Sequence, residues 1–239
     1  MEQVNKIKKI SAADQVYEQL KQFILDGHWT PGEKITTETE LSRQLGVNRL
    51  TVRVALQRLA ALGLLDIRVG DGTYVKEFDM QEKITELSPF YINDATMQDT
   101  GEYRRLLELS FLDMAVQRRT QEELDRFHRL CLDFQRDLHL YYSSPDKAFS
   151  EAAFLRTVDT SSSLHTLICE MTHNQLLIYA FTLCKEPLRR HMEFNASSRT
   201  SDIDESLCNI WEKRWFQLYD ALRTQDAPLA HRLLEQIIN

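Results

Sequence analysis

Residues 48–57 place groups that can read a base edge at helical spacing. Asn48-Arg49-Leu50-Thr51-Val52-Arg53 puts two guanidinium groups four residues apart, so Arg49 and Arg53 share one face of a helix. Either can grip the O6/N7 edge of a guanine or a phosphate. Thr51 lies beside them and can reach a base edge or a thymine methyl, and Gln57 is one further turn along. Leu50 is the apolar neighbour at the exposed start of the same turn. An isolated pair of arginines is usually solvated surface charge, so the weight of this pair rests on the elements around it.

Those elements follow from spacing and breakers. Ser11 is an N-cap for a first helix over 11–26, with Val16, Leu20, Phe23 and Ile24 at helical spacing. Gly27 to Gly32, with Pro31, interrupt it. A second helix begins at Thr37 or Glu38, buries Leu41 and Leu45, and ends at Gly46, which permits a sharp turn. Asn48 caps the third helix, whose back carries Val52, Ala55, Leu56, Leu59 and Ala60. Beyond Gly63, residues 64–69 read as a strand, Gly70-Asp71-Gly72 as a turn and 73–75 as a second strand. Helix, tight turn, helix and hairpin make a winged helix-turn-helix, which presents its last helix to the major groove. Val69 and Gly70 then lie at the wing tip, beside the minor groove, and the acidic Asp71 argues against deep insertion.

The chain has 239 residues, 43% of them hydrophobic and 27% charged, enough for two domains with buried cores. The net charge of −7 is uneven: residues 1–78 hold 11 Lys+Arg against 10 Asp+Glu, and residues 79–239 hold 18 against 26. The acidic excess therefore lies outside the reading element, in a half that phosphate would repel. The sequence predicts a mainly α chain with three parts. These are a winged helix-turn-helix over 1–78, a linker with some helix over 79–100, and an all-α ligand-binding and dimerisation bundle over 101–239. No run approaches the roughly 18–20 apolar residues of a membrane span, and MEQVNKIKKI lacks an apolar export core. Cys131, Cys169, Cys184 and Cys208 form no CxxC pair, as expected of reduced thiols in a cytoplasm.

Pro31-Gly32, Glu38-x-Glu40-Leu41, Leu45-Gly46-Val47-Asn48-Arg49-x-Thr51-Val52-Arg53-x-Ala55-Leu56, Leu59, Gly63-Leu64 and Gly72-Thr73-x-Val75 together resemble the GntR family of bacterial transcription regulators. The chain departs from that family where Ile35-Thr36-Thr37-Glu38-Thr39 replaces Leu-Pro-Ser-Glu-Arg, so Thr39 stands where the family has a DNA-contacting arginine. Asn48 replaces a serine. Glu102-x-Arg104-x-x-Leu107-Glu108 is similar to the opening helix of the FadR-type branch, whose helical domain encloses a ligand cavity. Many members of that branch hold a divalent metal with one Asp and three His. Threaded onto that pattern, this chain offers Glu151, Leu155, Trp215 and Ile237. Apolar side chains donate no lone pair, so no metal or other cofactor is expected.

A metal-free cavity would recognise its ligand by shape and hydrogen bonds. Tyr103, Arg104, His173, Asn174, Tyr179, Arg189 and Trp215 are the candidates. The resemblance implies an organic acid or acyl-CoA-like effector. It also implies a homodimer reading a near-palindromic double-stranded DNA operator, with repression as the expected mode. One alternative is a helical half that is a packed dimerisation scaffold, with Leu155, Trp215 and Ile237 filling the same space. Another is an enzyme with an attached DNA-binding domain. The chain lacks a phosphate-binding Gly-rich loop, GxSxG and HExxH, so no enzymatic activity is expected.

Overall fold

The computed structural model describes residues 10–198 and 205–238, without the side chains of 147, 191, 192, 194–198 and 205–209. The chain folds as two compact units, one ending at Lys83 and one beginning at Ile84.

The first unit holds α1 (Ala12–Leu25), α2 (Glu38–Leu45), α3 (Arg49–Ala61), β1 (Leu65–Arg68) and β2 (Gly72–Val75). Each helix starts on a side-chain cap that accepts an otherwise unpaired amide: Ser11 from Asp14, Thr37 from Glu40, Asn48 from Thr51. Gly46 ends α2 at φ 66°, a left-handed conformation that glycine adopts without penalty. Val16, Leu20, Leu41, Val52, Ala55, Leu56 and Leu59 recur at helical spacing and close one core, joined by Ile35, Leu65 and Val75. Phe23 instead lies 40% exposed, against the rings of His28 and Trp29. The strands pair antiparallel, Leu65 opposite Val75 and Arg68 opposite Gly72. Residues 32–35 extend the ladder along β2, through Ile35 N–H to Thr73 O (2.9 Å) and Val75 N–H to Glu33 O (2.9 Å).

The stretch 79–100 is helical over most of its length. It holds α4 (Met80–Tyr91) and the start of α5 (Asp94–Arg118), whose Asn93 cap forms a reciprocal capping box with Thr96. The unit boundary falls inside α4. Then follow α6 (Gln121–Ser143), α7 (Lys147–Glu170), α8 (Gln175–Ser198), α9 (Glu205–Thr224) and α10 (Ala227–Ile238). Their apolar faces close a second core around Phe111, Leu112, Phe127, Leu164, Leu167, Ile168, Leu218 and Leu222. Among the described residues no helix is long and apolar enough to cross a membrane. Cys131, Cys169 and Cys184 are free, and burial pushes each thiol up to about 12, which keeps them unreactive; the Cys208 side chain lies outside the described residues.

Candidate nucleic-acid interface and the interior of the helical unit

α3 turns a buried back to the first core and an exposed front to solvent. Arg49, Leu50, Arg53 and Gln57 are all exposed, Leu50 at 68%. Thr51 is half-buried, and both its amide (2.8 Å) and its hydroxyl (3.0 Å) donate to Asn48 Oδ1. Its hydroxyl proton therefore serves the cap, which leaves its methyl and oxygen lone pairs for a partner. Thr39 is exposed in the first turn of α2.

The two arginines converge on one carboxylate, a residue sequence reasoning did not single out as part of the site. Arg53 Nε and Nη2 donate to Glu38 at 2.9 and 2.8 Å, and Arg49 Nη2 lies 3.7 Å from it. Hydrogen bonds from Arg53 outweigh partial burial and hold the Glu38 carboxyl below the usual carboxylate range. Glu38 thus aims both guanidinium groups from the neighbouring helix. Its signal in the sequence was its place at the start of α2, but spacing alone does not reveal a contact across fifteen residues.

Val69 is fully exposed at the wing tip, followed by Gly70 at φ 80°. Asp71 accepts from Lys34 Nζ (3.1 Å) and Tyr74 Oη (3.0 Å), and these bonds hold its carboxyl below the ordinary value. Arg68 lies over the Tyr74 ring, 4.2 Å from its centroid. The acidic residue at the tip is therefore neutralised by a tie that braces the hairpin. A side chain at Gly72 would strike Lys34 Cε, at a φ of +152° that few other residues adopt.

In the helical unit the sequence candidates scatter. Arg104 and Trp215 are brought together through His165. Arg104 Nε donates to Glu108 Oε1 (2.6 Å), Arg104 Nη2 to His165 Nε2, and His165 Nδ1 pairs with Glu108 Oε2 (2.7 Å). The His165 and Trp215 ring centroids are 4.9 Å apart. Glu108, His165 and Trp215 are 0%, 1% and 2% exposed. Arginine only donates, so Nε2 accepts and the proton sits on Nδ1, donated to Glu108. Burial and the Arg104 charge push the His165 imidazole below its usual range, so it is neutral. Burial would raise the Glu108 carboxyl, but the Arg104 charge and the hydrogen bonds it accepts from Arg104 and the neutral His165 hold it low. Elsewhere His173 (φ 51°) forms the α7–α8 turn and bonds to Glu123 (2.9 Å), while Asn174 caps α8. Tyr179 is half-buried on α8. Arg189 pairs with Glu193, Glu186 (3.4 Å) and Asp159 (3.6 Å). Tyr103 donates to Ala180 O (2.7 Å) and faces a separate cleft of about 290 Å³ between α4, α5 and α8.

Leu155 does not share the interior with Trp215 and Ile237, contrary to the expectation from the resemblance. Leu155 is 47% exposed, because the buried stripe of α7 runs through Ala153, Thr157, Val158, Ser161, Ser162, Leu164 and His165 and passes Leu155 by. His165 takes the place beside Trp215; its signal was the apolar flank of Leu164, Leu167 and Ile168. Ile237 is half-buried against the core, and Glu151 is exposed. The metal implied by the resemblance does not fit these residues. The His165 imidazole beside Trp215 has both nitrogens engaged, one by a guanidinium that would repel a cation. Among the described residues no cluster of three His, Cys, Asp or Glu could hold a metal ion.

A capped helix bearing arginines outward, a left-handed glycine turn before it and a braced hairpin after it define a winged-helix DNA reader, here followed by a helical bundle. Two family models match the chain. Residues 12–75 match "Bacterial regulatory proteins, gntR family" and residues 99–239 match the FCD domain. The chain belongs to the gntR family of transcription regulators, in the branch with an FCD domain. It is 34% identical over 105 residues to the HTH-type transcriptional regulator LutR of Bacillus subtilis (strain 168), a span of 44% of this chain and 48% of that protein. It is 25% identical over 237 residues to the Uxu operon transcriptional regulator of Escherichia coli (strain K12), covering 94% and 84%. The solved structure of Streptococcus agalactiae GntR shares the fold at TM-score 0.65 and 20% identity, covering 95% of this chain and 96% of that one.

Proposed function

We propose that this regulator binds a near-palindromic operator as a cytoplasmic homodimer and represses transcription from it, with a small molecule acting on the helical unit. It performs no catalysis. The observation that carries the reading is the front of α3, where Arg49, Leu50, Arg53 and Gln57 stand exposed on a capped, core-backed helix. In the major groove Arg49 and Arg53 exchange Glu38 for a guanine edge or phosphate, Gln57 and the Thr51 methyl reach bases further along, and Asn48 holds the helix start. Thr39 gives the start of α2 a weaker backbone contact than arginine would. Val69 and Gly70 bring the wing to the minor groove. Two such units on a dimer read two half-sites about one helical turn apart.

The test uses a duplex selected from random sequence by the full chain. Fluorescence anisotropy should show the Arg49→Ala, Arg53→Ala double variant binding it at least about a hundredfold more weakly, with a salt slope reduced by about 2. Equal binding by variant and parent would remove α3 as the reading helix.

A second reading has one observation in its favour. Arg104, Glu108 and His165 satisfy one another in the buried interior against the Trp215 ring, which suits a packed dimerisation scaffold without an interior ligand.

A further inference from the structure

The hairpin of the wing, from Leu65 to Val75, carries a single basic residue, Arg68. Strand register puts Asp66 opposite Tyr74, with Lys34 beyond Tyr74 on the flanking segment. Residues two apart on a strand share a face, so Arg68 joins these three. Leu65 and Val75 alternate with them and lie in the core, so the face that holds Arg68 is the outward one. There the guanidinium lies 4.2 Å from the Tyr74 ring centroid, and Nε donates to Asp66 Oδ2 (2.8 Å). A planar cation laid on a ring and tied at one nitrogen has lost much of its rotational freedom before a partner arrives. Its terminal nitrogens, Nη1 and Nη2, make no hydrogen bond among the described residues.

The neighbouring cations are committed. Lys34 Nζ donates to Asp71 (3.1 Å), which also accepts from the Tyr74 hydroxyl (3.0 Å), and Lys76 Nζ donates to Glu82 (2.6 Å). The acid of the turn is thereby matched, and Arg68 keeps the charged donors that the hairpin has left to give. Its position says what takes them. Arg68 directly precedes Val69 at the wing tip and stands opposite Gly72. Successive strand residues are about 3.3 Å apart, and the minor groove is about 6 Å wide, with a phosphate strand along each side. A tip that enters the groove therefore has phosphates against both faces of the hairpin. A guanidinium one residue back, on the outward face, meets one of those strands. Its tie to Asp66, further from the tip, turns it away from the groove floor and the base edges.

We propose that Arg68 is a DNA-contacting residue that grips a backbone phosphate beside the wing, held ready by the Tyr74 ring and Asp66. Nη1 and Nη2 donate to phosphate oxygens while Nε keeps Asp66. Such a contact fixes the seat of the wing and strengthens binding without reading sequence. The proposal rests on reading the first unit as a winged-helix DNA reader with its tip at the minor groove.

The experiment is fluorescence anisotropy of the full chain with the selected operator and with a random duplex, from about 50 to about 200 mM salt. Arg68→Ala should weaken both duplexes roughly tenfold, leave their ratio unchanged and lower the salt slope by about 1. Arg68→Lys keeps the charge without the planar stack, so it should keep the full slope and lose only a few-fold in affinity. Should Arg68→Ala melt below the parent, Arg68→Gln, which keeps a donor for Asp66, gives the same test through the slope. Parent-like affinity and slope in Arg68→Ala would overturn the proposal. So would a loss confined to the operator with the slope intact, which is what a merely loosened hairpin gives. A loss that disappears when A·T pairs beneath the wing are changed to G·C would place Arg68 on base edges and overturn it as well. The Arg49→Ala, Arg53→Ala variant is titrated alongside. Loss of binding there, with Arg68→Ala unchanged, counts against this contact alone. Full binding by that double variant, with the uniform loss in Arg68→Ala, counts against α3 as the reading helix and supports the wing contact.

Discussion

Single carboxylates organise both chemically active places in the chain. Glu38 holds the two arginines of α3 before DNA arrives, so operator binding exchanges one anionic partner for another. Glu38→Gln should tighten binding to random duplex and narrow the gap between operator and random sequence, because the arginines lose their common aim; an unchanged ratio of the two dissociation constants would deny Glu38 that role. Glu108 plays the interior part. Arg104→Met would leave it buried with only His165 and should cost about 3–5 kcal/mol in chemical unfolding of the helical unit. The arginines of α3 were legible in the sequence because four-residue spacing on a helix is local. Their meeting with Glu38 was not, because it depends on how α2 crosses α3.

At the scale of the element, caps and buried networks set stability. Asn48→Ala should cost about 1 kcal/mol by removing the acceptor for the Thr51 amide, and Asn48→Ser should restore most of it, as read by urea unfolding. α7 carries the pH dependence of the helical unit through His165. Its folded pKa lies below 6.5, so below pH 6.5 the unfolded chain binds a proton that the folded chain refuses. Stability is therefore complete above about pH 6.5 and falls on acidification, and the low-lying Glu108 adds a further loss below its unfolded value of about 4.5. His165→Gln keeps an acceptor for Arg104 and a donor for Glu108 without titrating. It should flatten the decline in melting temperature between pH 7 and pH 5, and an undiminished slope would place the titrating group elsewhere. Nothing in the periodicity of α7 told His165 from Leu155 as the inward residue until the buried stripe was fixed by the helices packed against it.

For the whole molecule, the native mass should be twice 28.0 kDa with no added metal. Chelation should leave the melting temperature unchanged, because the group beside Trp215 is satisfied by side chains; a fall of several degrees on chelation would mean that an ion contributes to the folded state. The acidic excess of the helical half separates tasks within one chain, and residues 84–239 should show no salt-sensitive affinity for duplex DNA when titrated alone in an anisotropy assay.

The winged helix-turn-helix and the helical second half were legible in the residue order alone, because caps, glycine turns and apolar spacing act within a few residues and carry their own signature. Ser11, Thr37, Gly46 and Asn48 lie where those rules put them. Which residues meet across the chain was settled by helix packing: Glu38 with Arg49 and Arg53, Arg104 and Glu108 with His165, Tyr91 with the Leu183 carbonyl that Pro187 leaves open. The physical reason is that a hydrogen-bond proton can go to any acceptor the fold brings near. Which acceptor that is depends on helix packing, a sum over many interactions that no short stretch of sequence contains.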